Sequence, residues 1–235
     1  MSPLGDDTAD ADGTQFRPRG VASTLVADQV YEILANDIFT GRLPAGARLP
    51  VRDVANQVGT SVMPVREAIR LLVENGLAVS HPHRGARVRE FTHRELIQIY
   101  DVRSLLEVEA TRQGAPEVTP GDLDEMRAAC GRLYRAVVEL RVSDALDEDE
   151  ALLRRLYRAG GNAVLLETIE SLWIQCRPYK VIGARAAIQN HDASLWAPQP
   201  ALVDALEAGQ TELAIEINRE CVAAARRRLE AEITP

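Results

Sequence analysis

Aromatic residues, cysteines and long apolar stretches are all scarce in this sequence. Aromatic residues make up 4% of its 235 residues, and only 3 residues are cysteines. Because Cys130, Cys176 and Cys221 are odd in number and far apart, they predict reduced thiols in a cytoplasmic protein and not a disulfide framework. No uninterrupted run of about 18 apolar residues occurs, so the sequence predicts no membrane-spanning helix. The first twenty residues also lack the basic and apolar regions of a secretory signal peptide.

Negative charge dominates the whole chain but not its front part. The formal net charge is −8, yet nine arginines stand against seven acidic residues between Val21 and Arg94. Residues 95–235 instead carry 16 basic and 24 acidic residues. A weakly basic front end beside an acidic back end indicates a division of labour between two parts of the chain.

The order of elements in residues 21–91 is typical of a winged helix-turn-helix that binds DNA. Residues 1–20 are polar and without periodicity, which predicts a disordered tail. A helix capped by Ser23 is expected next, followed by a short helix from Val51 to Val58 that ends at Gly59. Ser61 or Thr60 can cap a third helix, and two short alternating segments then predict a basic hairpin.

The remaining residues, 92–235, predict an all-helical antiparallel bundle, so the fold class is mainly α with one small β-hairpin. Thr92 and Glu95 form a capping box that opens a helix ending at Gly114. A second helix is expected from Thr119 to about Val142, and Ser143 is expected to cap a third. Three more helices are expected: a long one that starts at Asn162, one over 198–208 and one over 211–233.

Two groups of motifs resemble a known family of regulators. The first runs from Arg48-Leu49-Pro50 through Ser61-x-x-Pro64-Val65-Arg66-Glu67 to Arg84-Gly85-Ala86, and it resembles the GntR family. The second, Asp101-Val102-Arg103 with Arg158-Ala159-Gly160-Gly161-Asn162, resembles the FadR subfamily and its FCD-type effector domain. The resemblance implies a homodimeric, sequence-specific DNA-binding regulator, usually a repressor, that responds to a small molecule.

The resemblance also implies which residues contact DNA. A recognition helix presents its first residues to base edges in the major groove, where arginine pairs with guanine. The expected contacts are Arg52, Ser61, Arg66 and the wing residues Arg84 and Gly85, with glycine allowing a close approach of the backbone. Val62 departs from the family because this position is commonly polar or basic there. It could contact a thymine methyl group or simply lose the contact.

Many FCD domains hold a divalent metal with one aspartate and three histidines, and this chain departs from that pattern. The aspartate corresponds to Asp149, but the histidine positions fall on Leu153, Gln199 and Cys221. A leucine offers no lone pair to a metal ion. We therefore expect no metal and no other cofactor.

A ligand pocket between the bundle helices is still expected. Arg103 and Arg177 are the candidates for clamping a carboxylate, which would make the effector an organic acid or an acyl metabolite. Asp149, Gln199 and Cys221 are expected in the same pocket. An arginine in an acidic helical domain is, however, more often part of a surface ion pair, and this alternative stays open for both.

Two other classes of function agree less well with the sequence. An enzyme is disfavoured because the sequence contains no nucleophile motif, no glycine-rich phosphate loop and no H-E-x-x-H. A ligand-binding or interaction module with a degenerate DNA contact is favoured only by Val62. Arg52, Arg66, Arg84 and Gly85 all favour DNA binding instead.

Overall fold

A computed structural model describes residues 21–82 and 84–233 of the chain. The predicted disordered tail, residues 1–20, lies outside the described residues. Of the described helices, none is long and apolar enough to cross a membrane.

In the described residues between Val21 and Val88, here called the front part, three helices combine with a small antiparallel sheet. Its elements are α1 (Val21–Phe39), β1 (Arg48–Leu49), α2 (Val51–Val58), α3 (Val62–Glu74), β2 (Ala78–His81) and β3 (Gly85–Val88). The strand order is β1-β3-β2, so β3 is the central strand. The predicted order of helix, short helix, helix and hairpin is thereby confirmed.

Apolar residues at helical spacing hold α3 against this small core. Val65, Ala68 and Leu72 of α3 are fully buried, and they pack with Leu34 and Ile38 of α1. Burying a valine or leucine side chain contributes about 1.5–3 kcal/mol to stability. The same periodicity leaves the opposite face of α3 exposed to solvent.

Two details of this part differ from the sequence expectations. Ser23 does not cap α1, because the helix already includes it from Val21 onward. The strand β1 was not predicted, since two residues are too few to show an alternating pattern. Gly59 has a φ of +69°, which ends α2 in the left-handed conformation as expected, and the following N-cap is Ser61.

Six helices form the described residues that follow, from His93 to Ile233. They are α4 (His93–Gly114), α5 (Pro120–Val138), α6 (Val142–Ala159), α7 (Ala163–Gln189), α8 (Pro198–Glu207) and α9 (Thr211–Ile233), with short 3-10 turns at Ala115–Glu117 and Ala193–Leu195. The capping box of Thr92 and Glu95 is formed at the start of α4. Thr119 and Asp122 make an equivalent box at the start of α5.

The turn between α5 and α6 was placed wrongly. The second helix of the bundle ends at Val138 instead of about Val142, and Ser143 lies inside α6 rather than capping it. The chain reverses through Leu140, which has a φ of +58°. Non-glycine residues seldom adopt this left-handed conformation, so the sequence gives no signal for the turn.

The two parts touch through α7. Ile174 of α7 packs against the core of the front part. Phe91, predicted as the last residue of the DNA-binding part, packs instead with Leu96 and Tyr100 of α4. The domain boundaries 21–91 and 92–235 stay predictions.

Candidate nucleic-acid interface and ligand cavity

The start of α3 is an open helix N-terminus on the surface of the front part. Ser61 is the N-cap, and its side chain makes no capping hydrogen bond to the helix in the described part of the chain. The first N–H groups of α3 therefore face solvent together with the positive end of the helix dipole. Such an end attracts phosphate groups.

Exposed arginines surround this helix end. Arg66 lies one turn into α3 and Arg52 lies on α2, and both side chains are exposed. Among residues 25–82 and 84–231, no carboxylate pairs with the guanidinium of Arg52, Arg66 or the exposed Arg84. Their hydrogen-bond donors are thus available to an external acceptor, as a DNA contact requires.

Arg70, on the same helix, shows the opposite arrangement. Its guanidinium bridges the carboxylates of Glu67 and Glu74. The hydrogen bond from Arg70 also lowers the pKa of the Glu67 carboxyl. An arginine held by two carboxylates has fewer free donors than Arg66, so the two positions are not equivalent.

The predicted wing is a tight hairpin whose tip carries the expected residues. His81 of β2 pairs with Gly85 of β3, and the backbone N–H of Arg84 donates to the carbonyl of His81 at 3.1 Å. Gly85 has a φ of +77°, and a Cβ atom added there would meet nothing within 4 Å. Glycine is therefore needed for the backbone conformation, and the tip is open to an approaching partner.

Val62 is the first residue of α3, and the apolar residue Met63 follows it. Val62 is 38% exposed and Met63 is 68% exposed. Met63 was missed because a lone methionine before a proline carries no recognisable signal. Two exposed apolar side chains next to arginines suit the thymine methyl groups of the major groove. Contacts of Arg52, Ser61, Val62, Arg66, Arg84 and Gly85 with DNA stay predictions.

A small cavity of about 40 Å³ lies in the helical bundle between α4, α6, α7, α8 and α9. Arg103, Asp149, Gln199 and Cys221, four of the five predicted pocket residues, line it. Leu153, at one histidine position of the family pattern, lines it as well. The structure thus brings these distant residues together.

Arg103 lines the cavity, and its positive charge is balanced by the carboxylate of Glu107. Its Nε atom donates to the Oε1 atom of Glu107 at 2.8 Å, and both side chains are buried. Glu107 also accepts hydrogen bonds from the indole N–H of Trp173 at 2.9 Å and the hydroxyl of Tyr157 at 3.1 Å. Tyr157 and Trp173 are thus packed in the bundle core, and Arg103 is part of an internal network.

Arg177 does not line this cavity, which corrects its predicted place in the pocket. Its guanidinium donates to Asp147 at 2.6 Å and pairs with Glu150 at 3.1 Å. These carboxylates lie on α6, and they hold the side chain on another side of α7. Arg177 therefore forms an ion pair, but a largely buried one and not the surface pair of the open alternative.

Arg228 of α9 was missed by the sequence analysis, although it lines the cavity. It donates to the hydroxyl of Ser194 at 2.6 Å, and burial lowers the pKa of its guanidinium. Within the described residues no carboxylate forms an ion pair with Arg228. No motif surrounds it in the sequence, where it is one of three consecutive arginines.

The residues present do not fit the divalent metal of the family pattern. One carboxylate oxygen of Asp149 accepts a hydrogen bond from the Nε2 atom of Gln199 at 2.7 Å. Burial raises the pKa of the Cys221 thiol to about 12, so it stays protonated at neutral pH and is a poor ligand. Among the described residues, no group of three His, Cys, Asp or Glu side chains is placed to hold a metal ion.

Comparisons with known proteins agree with this division of the chain. Residues 26–88 match the family model of bacterial regulatory proteins of the gntR family, and residues 98–224 match that of the FCD domain. The chain is similar to a probable D-xylose utilization operon transcriptional repressor of Paenarthrobacter nicotinovorans. The two are 34% identical over 197 residues, which cover 81% of this chain and 83% of that protein.

Similarity extends to proteins of Escherichia coli and Rhodococcus. The transcriptional regulator McbR of E. coli K12 is 32% identical over 151 residues, which cover 64% of this chain and 68% of McbR. The solved structure of E. coli McbR/YncC has a TM-score of 0.72 at 26% identity, covering 88% of this chain and 96% of that one. A GntR structure from Rhodococcus sp. RHA1 shares the fold, with a TM-score of 0.74 at 23% identity over 88% and 99% of the two chains.

Proposed function

The chain belongs to the GntR family of bacterial regulatory proteins and carries an FCD domain, and from this membership we propose that it is a homodimeric repressor. The family consists of DNA-binding transcription regulators and not of enzymes. In our proposal two winged helix-turn-helix units of one dimer bind successive major-groove faces of a short pseudo-palindrome. Its action on bacterial DNA would place the protein in the cytoplasm.

The observation that carries the proposal is that Arg66 is exposed beside the open N-terminus of α3 and pairs with no carboxylate among the described residues. A protein that had lost its DNA contact would have no need to keep Arg52, Arg66 and Arg84 free of carboxylate partners. The degenerate-module alternative is therefore less favoured. Repression is supported by the name of the Paenarthrobacter relative, which is described as a probable repressor.

Dimerisation is supported by an exposed apolar face on α4. Val102 and Leu105 lie one turn apart on this helix, and Leu105 is 73% exposed. Apolar side chains at this spacing form a stripe that a second copy could cover. Light scattering should give twice the mass of the chain, and Leu105→Glu should shift the protein toward monomer.

A small molecule in the bundle cavity would weaken operator binding if it binds the DNA-free arrangement better than the DNA-bound one. The sequence predicts an organic acid or an acyl metabolite, held by Arg103 and Arg177, as the effector. Both guanidinium groups are already paired with carboxylates inside the chain, so the basis for an acidic effector is weaker than the sequence suggested. The same site is proposed to work without a metal or another cofactor.

The test is binding of the full chain to the DNA upstream of its own gene, compared with a shuffled duplex of equal length. Specific binding should exceed non-specific binding by about 1,000-fold or more. Affinity should fall steeply with salt because phosphate contacts release counterions. Equal affinity for the two duplexes at all salt concentrations would contradict the proposal.

A further inference from the structure

The side-chain amide of Gln199 lines the ligand cavity, and only its nitrogen has a hydrogen-bond partner among the described residues. Gln199 is 4% exposed, and its Nε2 atom donates to Asp149. Its Oε1 atom is buried and has no hydrogen-bond partner in the described structure. Because the N–H end faces a carboxylate, rotation of the amide would place two oxygens against each other. The oxygen therefore stays available for a donor supplied from the cavity, and leaving it unmatched costs stability.

Five charged side chains line the cavity, and three of them form ion pairs. Arg103 is paired with Glu107, and Lys180 is paired with Glu150 at 2.6 Å. Asp149 and Arg228 remain, and neither forms an ion pair with any described residue. A ligand that matches this wall has no net charge, donates hydrogen bonds on one side and accepts them from Arg228 on the other.

On these grounds, and resting on the proposed effector role of the cavity, we propose that it binds an uncharged polyhydroxyl compound directly, without a metal ion. One hydroxyl group donates to the Oε1 atom of Gln199, and another accepts from the guanidinium of Arg228. Hydroxyl groups suit both positions because each one donates and accepts. A ligand of net charge would add an unbalanced charge to a wall in which Asp149 and Arg228 balance each other.

The size of the cavity sets a further condition. A space of about 40 Å³ holds about three water molecules, which is less than a compound of four or five carbons needs. Binding therefore requires side chains in the wall to move. We expect Arg228 to move, since among the described residues only the hydroxyl of Ser194 accepts a hydrogen bond from its guanidinium.

The test uses the full chain, dialysed against EDTA, in thermal-shift and calorimetric titrations. The probes are xylitol, D-ribose and D-xylose as uncharged polyols, D-ribonate as the anionic match of D-ribose, and L-serine as a zwitterion. We expect saturable stabilisation by at least one uncharged polyol, unchanged by added zinc or manganese. D-Ribonate should bind at least about tenfold more weakly, because it adds a net charge to a wall in which Asp149 and Arg228 already balance each other. L-Serine should also bind at least about tenfold more weakly, because burying its two charged groups costs more hydration free energy than burying hydroxyl groups.

Two variants locate the site. Gln199→Leu removes the orphaned oxygen at similar volume, and Arg228→Met removes the guanidinium; each should weaken polyol binding about tenfold or more. Arg219→Met, an exposed position on the same helix, should leave it unchanged. Because Gln199→Leu also unpairs Asp149, its folding is checked by circular dichroism, and Arg228→Met keeps the proposal falsifiable if that variant is unfolded.

Several results would overturn the proposal. They are tighter binding of D-ribonate or L-serine than of the polyols, stabilisation that depends on a divalent metal, or no saturable binding of any of the three polyols. DNA binding is measured in parallel on the same samples. Intact operator binding by Gln199→Leu and Arg228→Met would show that the proposed regulator function stands even where the ligand class fails.

Discussion

The hydroxyl oxygen of Tyr179 accepts a hydrogen bond from the backbone N–H of Phe91 at 2.9 Å, and the two rings meet edge to face with centroids 6.1 Å apart. Phe91 lies between β3 and α4, where the chain passes from one part to the other. Tyr179 also lines the ligand cavity. A single side chain thus contacts both the cavity and the connection to the winged helix-turn-helix.

Removing this hydrogen bond should loosen the connection. Tyr179→Phe keeps the ring but takes away the acceptor, so the Phe91 amide should exchange its hydrogen about two- to thirteenfold faster, as expected for a bond of about 0.5–1.5 kcal/mol. Exchange measured by mass spectrometry or NMR checks this. Tyr134→Phe, at an exposed position on α5, is the control. Unchanged exchange at Phe91 would show that the bond does not restrain the connection.

Glu107 is the centre of the buried network in the bundle, so neutralising it should be costly. Glu107→Gln leaves Arg103 without its counter-charge in a buried site, which typically costs about 3–5 kcal/mol. Glu109→Gln, two residues away and exposed, should cost less than about 1 kcal/mol. Urea unfolding of both variants measures the difference. Equal effects would mean that the network contributes nothing beyond an ordinary surface pair.

The carboxyl of Asp149 should destabilise the protein as the pH rises. Burial raises its pKa, with partial opposition from Lys180 and the Gln199 hydrogen bond. Its proton is thus bound more tightly in the folded state, and that stabilisation is fully present only below the unfolded-state pKa, about 3.9. It is lost as the pH rises through the raised folded-state pKa.

Asp149→Asn tests this sign, because asparagine keeps an oxygen for Gln199 and never ionises. Relative to the unchanged protein, the variant should gain free energy of unfolding as the pH rises above about 4, the unfolded-state pKa of an aspartate. Urea unfolding at several pH values measures the gain. Asp124→Asn, an exposed position on α5, serves as the control. A relative stability that falls over this range would contradict a raised pKa.

The elements that could be predicted from the sequence are those with local signals. Gly59, the capping box at Thr92 and the helix start at Thr119 mark helix ends by their own chemistry, and they are where the sequence placed them. The turn at Leu140 was missed because no glycine or asparagine marks its left-handed conformation.

In the two candidate sites, too, features that follow from local sequence could be predicted, and features that depend on helix packing could not. The exposed face of α3 follows from helical periodicity, so the position of Arg66 could be predicted. The pairing of Arg177 with Asp147 depends on how α6 packs against α7, and nothing near Arg177 in the sequence reveals it. Arg228 lines the cavity only because α9 returns beside α4 and α7, which is again a property of the packed bundle.

Gly85 at the tip of the wing permits a test that separates folding from DNA contact. Gly85→Ala forces a residue with a Cβ atom to a φ of +77° and should cost about 1–2 kcal/mol of stability. Gly85→Asn tolerates this conformation better, so its stability should lie nearer that of the unchanged protein. If the wing approaches DNA closely, both variants should bind upstream DNA more weakly. Normal DNA binding by Gly85→Asn would place the tip away from the duplex.

Arg66 and Arg70 provide the sharpest test of the DNA interface, because they lie on one helix and differ in their partners. Arg66→Ala removes free donors next to the helix N-terminus and should weaken specific DNA binding by about 1–3 kcal/mol, which is about fivefold to more than 100-fold. Arg70→Ala removes a guanidinium that Glu67 and Glu74 already hold, so its effect should be several times smaller.

Fluorescence anisotropy with the upstream duplex at fixed salt measures both affinities. If Arg66 contacts a base, Arg66→Ala should lose affinity for the specific duplex and little for a shuffled one. Equal losses on both duplexes would instead assign Arg66 to phosphate. A larger loss for Arg70→Ala than for Arg66→Ala would refute the arrangement, because it would place the paired arginine on the DNA and the free one away from it.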